Sequence, residues 1–322
     1  MKILVTGGAG FIGSNVVDGY IREGHEVVII DNLFTGRREN LNPKAKFYLI
    51  DIRDEEIDKI FEDEKFDIVN HHAAQMSVPA SVEDPAFDAD VNIKGILNLL
   101  ENCVKYKIKK FIFSSTGGAI YGEKDQIPTP ETETPVPLSP YAITKMASEN
   151  YLKFYNHHYG LDFTVLRYGN VYGPRQVPHG EAGVVSIFFN KIVRGEIPTI
   201  YHYPEEPMGM TRDYCFVGDV VKANILALTK GSGEVINIGT GVETSTGEIY
   251  NKLLSVLRAQ DYAKDPSFEK PPKGPSRHGD LRRSALHIEK AKNALGWSPD
   301  FTVDKGLLET VKFELPKKPN KQ

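Results

Sequence analysis

The first 170 residues alternate short apolar, often β-branched runs with longer stretches in which apolar residues recur at helical spacing. KILVTG, EVVIID, KFYLID, DIVNHHA, KFIFSS and FTVLRYGN read as strands. Between them GSNVVDGYIREG, DEEIDKIFEDE, DADVNIKGILNLLENCVKY and SPYAITKMASENYLKFYNHHYG read as helices, with a weaker fifth candidate. Strands that are apolar throughout are buried on both faces, as in a parallel sheet. Their alternation with helices predicts a doubly wound α/β fold. Near Gly173 prolines and glycines rise and strands become irregular. EVINIGTG, 234–241, is one more apolar run, predicted to return to the first sheet. Residues 270–280 form a Pro- and Gly-rich loop, GLLETVKFEL a last helix, and KKPNKQ a frayed tail. The expected division is a first unit of 1–170, with 214–241 returning to it. A smaller α/β unit is expected from 171–213 and 242–322.

Bulk properties narrow the picture without deciding it. The chain has 322 residues, 40% hydrophobic and 25% charged, ordinary for a soluble globular protein. A net charge of −4 argues against a nucleic-acid surface, and a polyanionic ligand would need a local positive pocket. Cys103 and Cys215 are the only cysteines and show no metal-type spacing. A reducing, cytoplasmic setting is therefore expected. Met1 leads straight into a strand-like run, so no signal peptide is expected. No apolar run approaches the roughly 18 residues of a membrane helix.

The first strand ends in TGGAGFIG, which contains Gly8-x-Gly10-x-x-Gly13 and, from Gly7, Gly7-x-x-Gly10-x-x-Gly13. A glycine turn between a strand and a helix brings backbone N–H groups and a helix N-terminus to a pyrophosphate. Eighteen residues past Gly13 the second strand ends in Asp31, where a dinucleotide site carries the acidic residue that bonds the adenosine ribose. A carboxylate there repels a 2′-phosphate and favours NAD over NADP. Asp51 and Ile52 end the third strand, as an adenine-reading edge or as a cap before DEEID. His72-Ala73-Ala74-Gln75 follows the fourth, its small residues permitting close approach of a cofactor. His71 and His72 have no partner at metal spacing and are read as structural. Asn92, inside a helical pattern, is either a sheet-tying hydrogen bond or a cofactor contact. Tyr141 and Lys145 open a helix four residues apart, on one face. A free Tyr is a poor base at pH 7, and a cation nearby favours its phenolate. The pair reads as a proton-transfer device beside NAD.

TGGAGFIG, DNLFTGRREN, HHAAQMSV, SSTGGAIYG, YAITK, LRYGNVYGPRQ, GEAGVVSIF, TRDY, INIGTG and the GDLRR region together resemble the extended short-chain dehydrogenase/reductases over nearly the whole chain. The resemblance is to the NAD-dependent epimerase/dehydratase branch, nearest its UDP-glucose 4-epimerases. It implies a Rossmann-type sheet with a smaller sugar-nucleotide-binding domain. It also implies a hydroxyl completing the Tyr/Lys pair. Aligning SSTGGAIYG on its leading serines selects Thr116, with Ser115 in reserve. It extends the cofactor site to Phe11, Ile12, Asn32, Thr35, Gly36, Ser114 and Tyr168. The implied activity is interconversion of UDP-glucose and UDP-galactose by C4 oxidation, turning of the 4-keto sugar and re-reduction.

On the substrate side the resemblance places Asn170, Val184 and Val185 near the nucleotide and sugar, and makes Arg212 and Arg277 a diphosphate clamp. Ser284 stands where some members carry Tyr, which leaves room for an N-acetyl group and implies UDP-N-acetylglucosamine as a further substrate. Glycines follow Thr116 where 4,6-dehydratases carry Asp-Glu, so that rival lacks its acid and base. A UDP-glucuronate epimerase is the other alternative. The sequence departs from the family in a longer segment before TRDY and in Gly169, where many members have Ala or Phe. For the long, partly apolar helices at 88–105 and 141–159 the resemblance implies a homodimer, the alternative being that both faces are buried within one chain.

Overall fold

The computed structural model describes residues 1–178, 183–276 and 280–315. Arg277, His179–Ala182 of the GEAGVV region and the KKPNKQ tail lie outside the described residues. In chain order the first elements are β1 (Lys2–Thr6), α1 (Phe11–Arg22), β2 (Glu26–Asp31), β3 (Lys46–Leu49), α2 (Ile57–Glu64) and β4 (Ile68–His71). Next come α3 (Val78–Glu83), α4 (Pro85–Ala89), α5 (Gly95–Lys105), β5 (Lys110–Thr116), α6 (Gly117–Ile120), α7 (Pro140–Tyr159), β6 (Asp162–Tyr168) and β7 (Asn170–Tyr172). The remainder is α8 (Val184–Val193), β8 (Ile200–His202), β9 (Thr211–Arg212), β10 (Tyr214–Phe216), α9 (Val217–Ala227) and β11 (Glu234–Ile238). After these follow β12 (Thr244–Ser245), α10 (Thr246–Arg258), β13 (Lys273–Pro275), α11 (Glu289–Leu295) and α12 (Val303–Glu314).

Seven strands form one parallel sheet in the order β11-β6-β5-β4-β1-β2-β3. The doubly wound α/β expectation holds, and the 234–238 run does pair with β6. Alternate residues of each strand feed opposite cores. Ile3 and Val5 pack with Val17, Tyr20, Val220 and Leu295 from α1, α9 and α11. Leu4 packs with Phe61, Leu99 and Leu152 from α2, α5 and α7. Both faces are thus covered, which is why these strands are apolar throughout. A third core joins α8, α10, α12, β7 and β10 around Phe188, Tyr250 and Leu307.

The order of strands reverses between β1 and β4. Ligands of open α/β sheets bind outside the carboxyl ends of the strands at such a switch point. The glycine turn after β1 and the His72–Gln75 segment after β4 meet there.

Two expected elements are broken. FTVLRYGN is not one strand, because β6 ends at Tyr168 and β7 pairs with β10 in a separate sheet. Gly169 sits at the break because Asp213 approaches it. A Cβ there would lie 2.9 Å from the Asp213 carbonyl oxygen, which accepts from the Asn170 N–H at 2.7 Å. The 88–105 stretch is not one α-helix either. Between α4 and α5, Asp90–Lys94 forms a π-helical turn, a local widening often found at functional sites.

Candidate active site

A cleft of about 1810 Å³ opens at the switch point. On the cofactor side Gly7, Gly10, Phe11, Ile12, Gly13, Asp31, Asn32, Thr35, Asp51, Ile52, His72, Ala73, Ala74, Gln75, Ser114, Tyr141, Lys145 and Tyr168 line it. Gly36 and Asn92 do not reach its wall. Gly10 caps α1 with no side-chain hydrogen bond, so the N–H groups of the first turn are left for a ligand. The turn is tight enough to demand glycine. Gly7 has φ +69°, and a Cβ on it would lie 2.6 Å from the Ala73 nitrogen. A Cβ on Gly13 would lie 2.2 Å from the Gly7 oxygen.

Asp31 closes this turn from the side. Its Oδ2 accepts from the Ala9 N–H at 2.9 Å and its Oδ1 from the Leu33 N–H at 2.8 Å. Burial raises its pKa against those two bonds. Gly36 acts through Asp31, since a Cβ there would meet the carboxylate at 2.7 Å. Asp51 is not the cap of α2, whose N-cap is Glu56. It holds Arg53 through three hydrogen bonds and accepts from Asn32 Nδ2 at 2.8 Å. The Arg53 guanidinium lowers its pKa to about 2. Asn92 braces the loop after β4, accepting from the Gln75 N–H at 2.9 Å and donating to the Gln75 carbonyl at 3.0 Å. His71 shares a hydrogen bond with Thr6 Oγ1 at 2.7 Å. His72 stacks on Tyr168 at 6.3 Å between ring centroids. Burial holds His72 neutral, with a pKa of about 3.

Helix α7 begins where Ser139 caps it, accepting from the Ala142 N–H at 3.2 Å, with Pro140 in its first turn. That start sets Tyr141 and Lys145 at the cleft wall. Lys145 Nζ donates to the Ser114 carbonyl at 2.9 Å and lies 5.9 Å from the Tyr141 ring centroid. Burial pulls the Lys145 pKa down to about 8, with Asp88 and Glu149 pulling it up. Burial pushes the Tyr141 hydroxyl well above its ordinary value, and Asp88 adds to that. Ser114 and Thr116 share one face of β5, and Ser114, Ser115 and Thr116 all line the cleft. The Thr116 hydroxyl accepts from the Ala119 N–H at 3.2 Å as the cap of α6. Ser115 points its hydroxyl elsewhere, donating to Glu149 Oε1 at 2.6 Å inside a buried pair with Arg167.

Across the cleft Asn170, Val184, Val185 and Arg212 line the wall. Arg212 Nη1 donates to the Thr211 carbonyl at 2.8 Å. Burial lowers its pKa, opposed by Tyr214 and Asp280. Ser284 is half-buried, its N–H bonded to the Thr211 carbonyl at 3.2 Å, and it is not part of the cleft wall. Its neighbour Arg283 pairs with Glu243 at 2.5 Å. Gly117 packs against Leu286, 2.6 Å from where its Cβ would be, and the Cβ site of Gly118 lies 3.3 Å from Asn170 Oδ1. The wall after Thr116 is therefore small and uncharged.

The model of the NAD dependent epimerase/dehydratase family matches residues 3–239. The chain belongs to that family. Among solved structures this epimerase/dehydratase is 51% identical to the UDP-glucose 4-epimerase of Thermotoga maritima, determined with UDP-glucose. The match has a TM-score of 0.90 and covers 97% of this chain and 98% of that one. The UDP-glucose 4-epimerase of Thermus thermophilus, in complex with NAD, is 44% identical with TM-score 0.89, over 97% and 98% of the two chains. A UDP-N-acetylglucosamine 4-epimerase from Methanobrevibacter ruminantium is 37% identical with TM-score 0.88, over 97% of each chain.

Several residues at this epimerase/dehydratase cleft escaped the sequence reading. Lys191 lines its outer half, one helical turn beyond Ile187 and Phe188. Phe34 and Phe87 meet at 6.3 Å across the cofactor side, and Arg53 lies 5.7 Å from the Phe87 ring. Asp88 is fully buried behind the wall. The Phe34, Phe87 and Asp88 contacts join segments far apart in sequence, so periodicity carries no trace of them.

Proposed function

We propose that the chain is a UDP-glucose 4-epimerase that interconverts UDP-glucose and UDP-galactose with bound NAD. The observation that carries this reading is one cleft shared by the glycine turn, Asp31 and the Tyr141/Lys145 pair. The residues fit a dinucleotide. The turn has no room for a Cβ where a pyrophosphate would approach, and Asp31 keeps lone pairs for ribose hydroxyls. NAD supplies the oxidising and reducing capacity at C4 of the sugar.

Tyr141 takes the proton from the sugar 4-hydroxyl and returns it. A buried phenol resists ionisation, so the Lys145 ammonium, fixed by the Ser114 carbonyl, is the charge that favours the phenolate. Thr116 is the hydroxyl on the Ser114 face of β5 and relays the hydrogen bond, while Ser115 serves Glu149. Arg212 meets the diphosphate, supported by its place in the cleft wall and by the neutral carbonyl, that of Thr211, to which its guanidinium donates. Lys191 adds a second positive charge to that half. Residues 1–170 with 214–241 form the cofactor-binding part, supported by the return of β11 to the sheet.

Incubation with UDP-galactose, followed by acid hydrolysis and sugar analysis, is expected to yield glucose. A stable 4-keto-6-deoxy product would move the chain to the dehydratases, and NAD-loaded protein that yields no glucose defeats the reading. UDP-N-acetylglucosamine, offered in parallel, is expected to give the galacto epimer.

We also propose a homodimer through α7. Ile143, Tyr151 and Phe154 share one face of that helix and are 49%, 37% and 50% exposed, a stripe of the kind that marks an interface. Light scattering is expected to give twice the 36.0 kDa of the chain. A single-chain mass at micromolar concentration rules the dimer out.

A further inference from the structure

Asp88, on α4, is completely buried. Its Oδ1 accepts from Gln75 Nε2 at 2.8 Å and from Asn92 Nδ2 at 3.1 Å, and its Oδ2 accepts from Thr144 Oγ1 at 2.8 Å. Among the described residues no Lys, Arg or His forms an ion pair with it. A carboxylate held out of water by three neutral donors and no cation is costly to fold. An amide of the same shape would keep part of this bonding without the charge. The charge therefore needs a reason beyond its hydrogen bonds.

The reason lies in what surrounds Lys145. From β5, the Ser114 carbonyl accepts from its ammonium and the Phe113 ring lies 4.8 Å from Nζ. From the end of β4, His71 and His72 face it and are kept neutral by burial and by the Lys145 charge. On its own helix stand Tyr141 and Glu149. Glu149 is already neutralised, since Arg167 Nε and Nη2 donate to it at 2.9 and 2.6 Å. Among the described residues Asp88 is left as the uncompensated negative charge acting on the ammonium.

We propose that Asp88 is a positioning residue of the reaction, a buried unpaired carboxylate that keeps the Lys145 ammonium charged beside Tyr141. Through Gln75 and Thr144 it also ties the loop after β4 to the catalytic helix. Its effect on turnover rests on the epimerase reading, while its effect on the Lys145 charge does not. Lys145 titrates near 8 with Asp88 opposing the pull of burial, so removing the Asp88 charge lowers that value. Activity that needs the ammonium falls as pH rises through it. The same carboxylate disfavours the Tyr141 phenolate, so its loss does not harm the acid side.

The test compares the pH dependence of kcat/KM for UDP-galactose in wild type, Asp88→Asn and Thr144→Val, with the Lys145 Cε resonance titrated in lysine-labelled protein. That resonance is assigned by its absence from Lys145→Met. In Asp88→Asn the alkaline limb is expected to move down by about one pH unit, giving roughly tenfold lower activity at pH 8.5 and less than about threefold at pH 6.5. Thr144→Val, which keeps the charge, should leave that limb in place. An equal loss at every pH, or an unmoved Lys145 titration, overturns the proposal. So does an Asp88→Asn chain that fails to fold while Asp88→Glu folds but is inactive throughout, since the group is then structural. A lowered Lys145 titration in a protein that epimerises no UDP-hexose upholds the electrostatic role and refutes the epimerase reading alone.

Discussion

Tyr141→Phe is expected to cut kcat for UDP-galactose epimerisation by about 10²–10⁴-fold, the range for removal of a positioned acid–base group. The variant should still bind NAD and UDP-sugar. The phenol ring is retained, so the packing at the start of α7 and the contact of the Lys145 ammonium with that ring survive. Only the oxygen proposed to exchange a proton with the sugar is lost. Because that exchange occurs in the transition state, kcat should fall while KM stays within a few-fold. Steady-state kinetics with NAD content measured on the same preparation separates the outcomes. Turnover within about threefold of wild type would remove Tyr141 from the reaction. A loss confined to KM would make it a binding residue.

How far the site was readable depended on the distance over which each part is built. The glycine turn, Asp31 and the Tyr141/Lys145 pair are local. The turn is one strand–loop–helix unit, and the pair is one turn of a helix capped by the Ser and Pro just before it. Such units declare themselves because backbone chemistry restricts which residues fit. The choice between Thr116 and Ser115 was not local. Ser115 turns its hydroxyl to Glu149 of α7, inside the buried Glu149–Arg167 pair, which is what supports the proposal of Thr116 as the relay. Asp88 was invisible for a similar reason. It reads as an ordinary acidic residue near a helix start, and its meaning comes from Gln75, 13 residues before it, and Thr144, 56 residues after it. The π-turn at Asp90–Lys94 hid in a pattern that suits a plain α-helix. Gly169 stood out in the sequence only as a departure from the family. It is the point where Asp213, itself accepting from the N–H groups of Thr240, Gly241 and Leu286, presses against the chain.

The second large effect is expected at Gly13. A methyl group there would sit 2.2 Å from the Gly7 oxygen and 3.1 Å from the Gly8 Cα, and neither atom is on a flexible side chain. The conflict is resolved only by moving the turn away from the start of α1. The turn is also held by Asp31 through Ala9 and by the Gly7 N–H on the Ile30 carbonyl at 2.8 Å, so the movement spreads into the proposed pyrophosphate cradle. Gly13→Ala should therefore lose NAD affinity by about 100-fold, or about 2.8 kcal/mol, and about 1–3 kcal/mol of stability from overpacking. Folding damage needs a control. Gly19→Ala lies on the same helix and meets Val221 Cγ1 at 2.4 Å, away from the cleft. It should lose comparable stability and keep its NAD. The comparison uses NAD released on acid denaturation and the melting temperature of each variant with and without added NAD. In wild type and Gly19→Ala, saturating NAD should raise Tm, because a ligand that binds only the folded state stabilises it. In Gly13→Ala the rise should nearly vanish at the same concentration. A Gly13→Ala protein that purifies with its full share of NAD would mean the pyrophosphate does not approach this turn, and the cofactor would have to be placed elsewhere in the cleft.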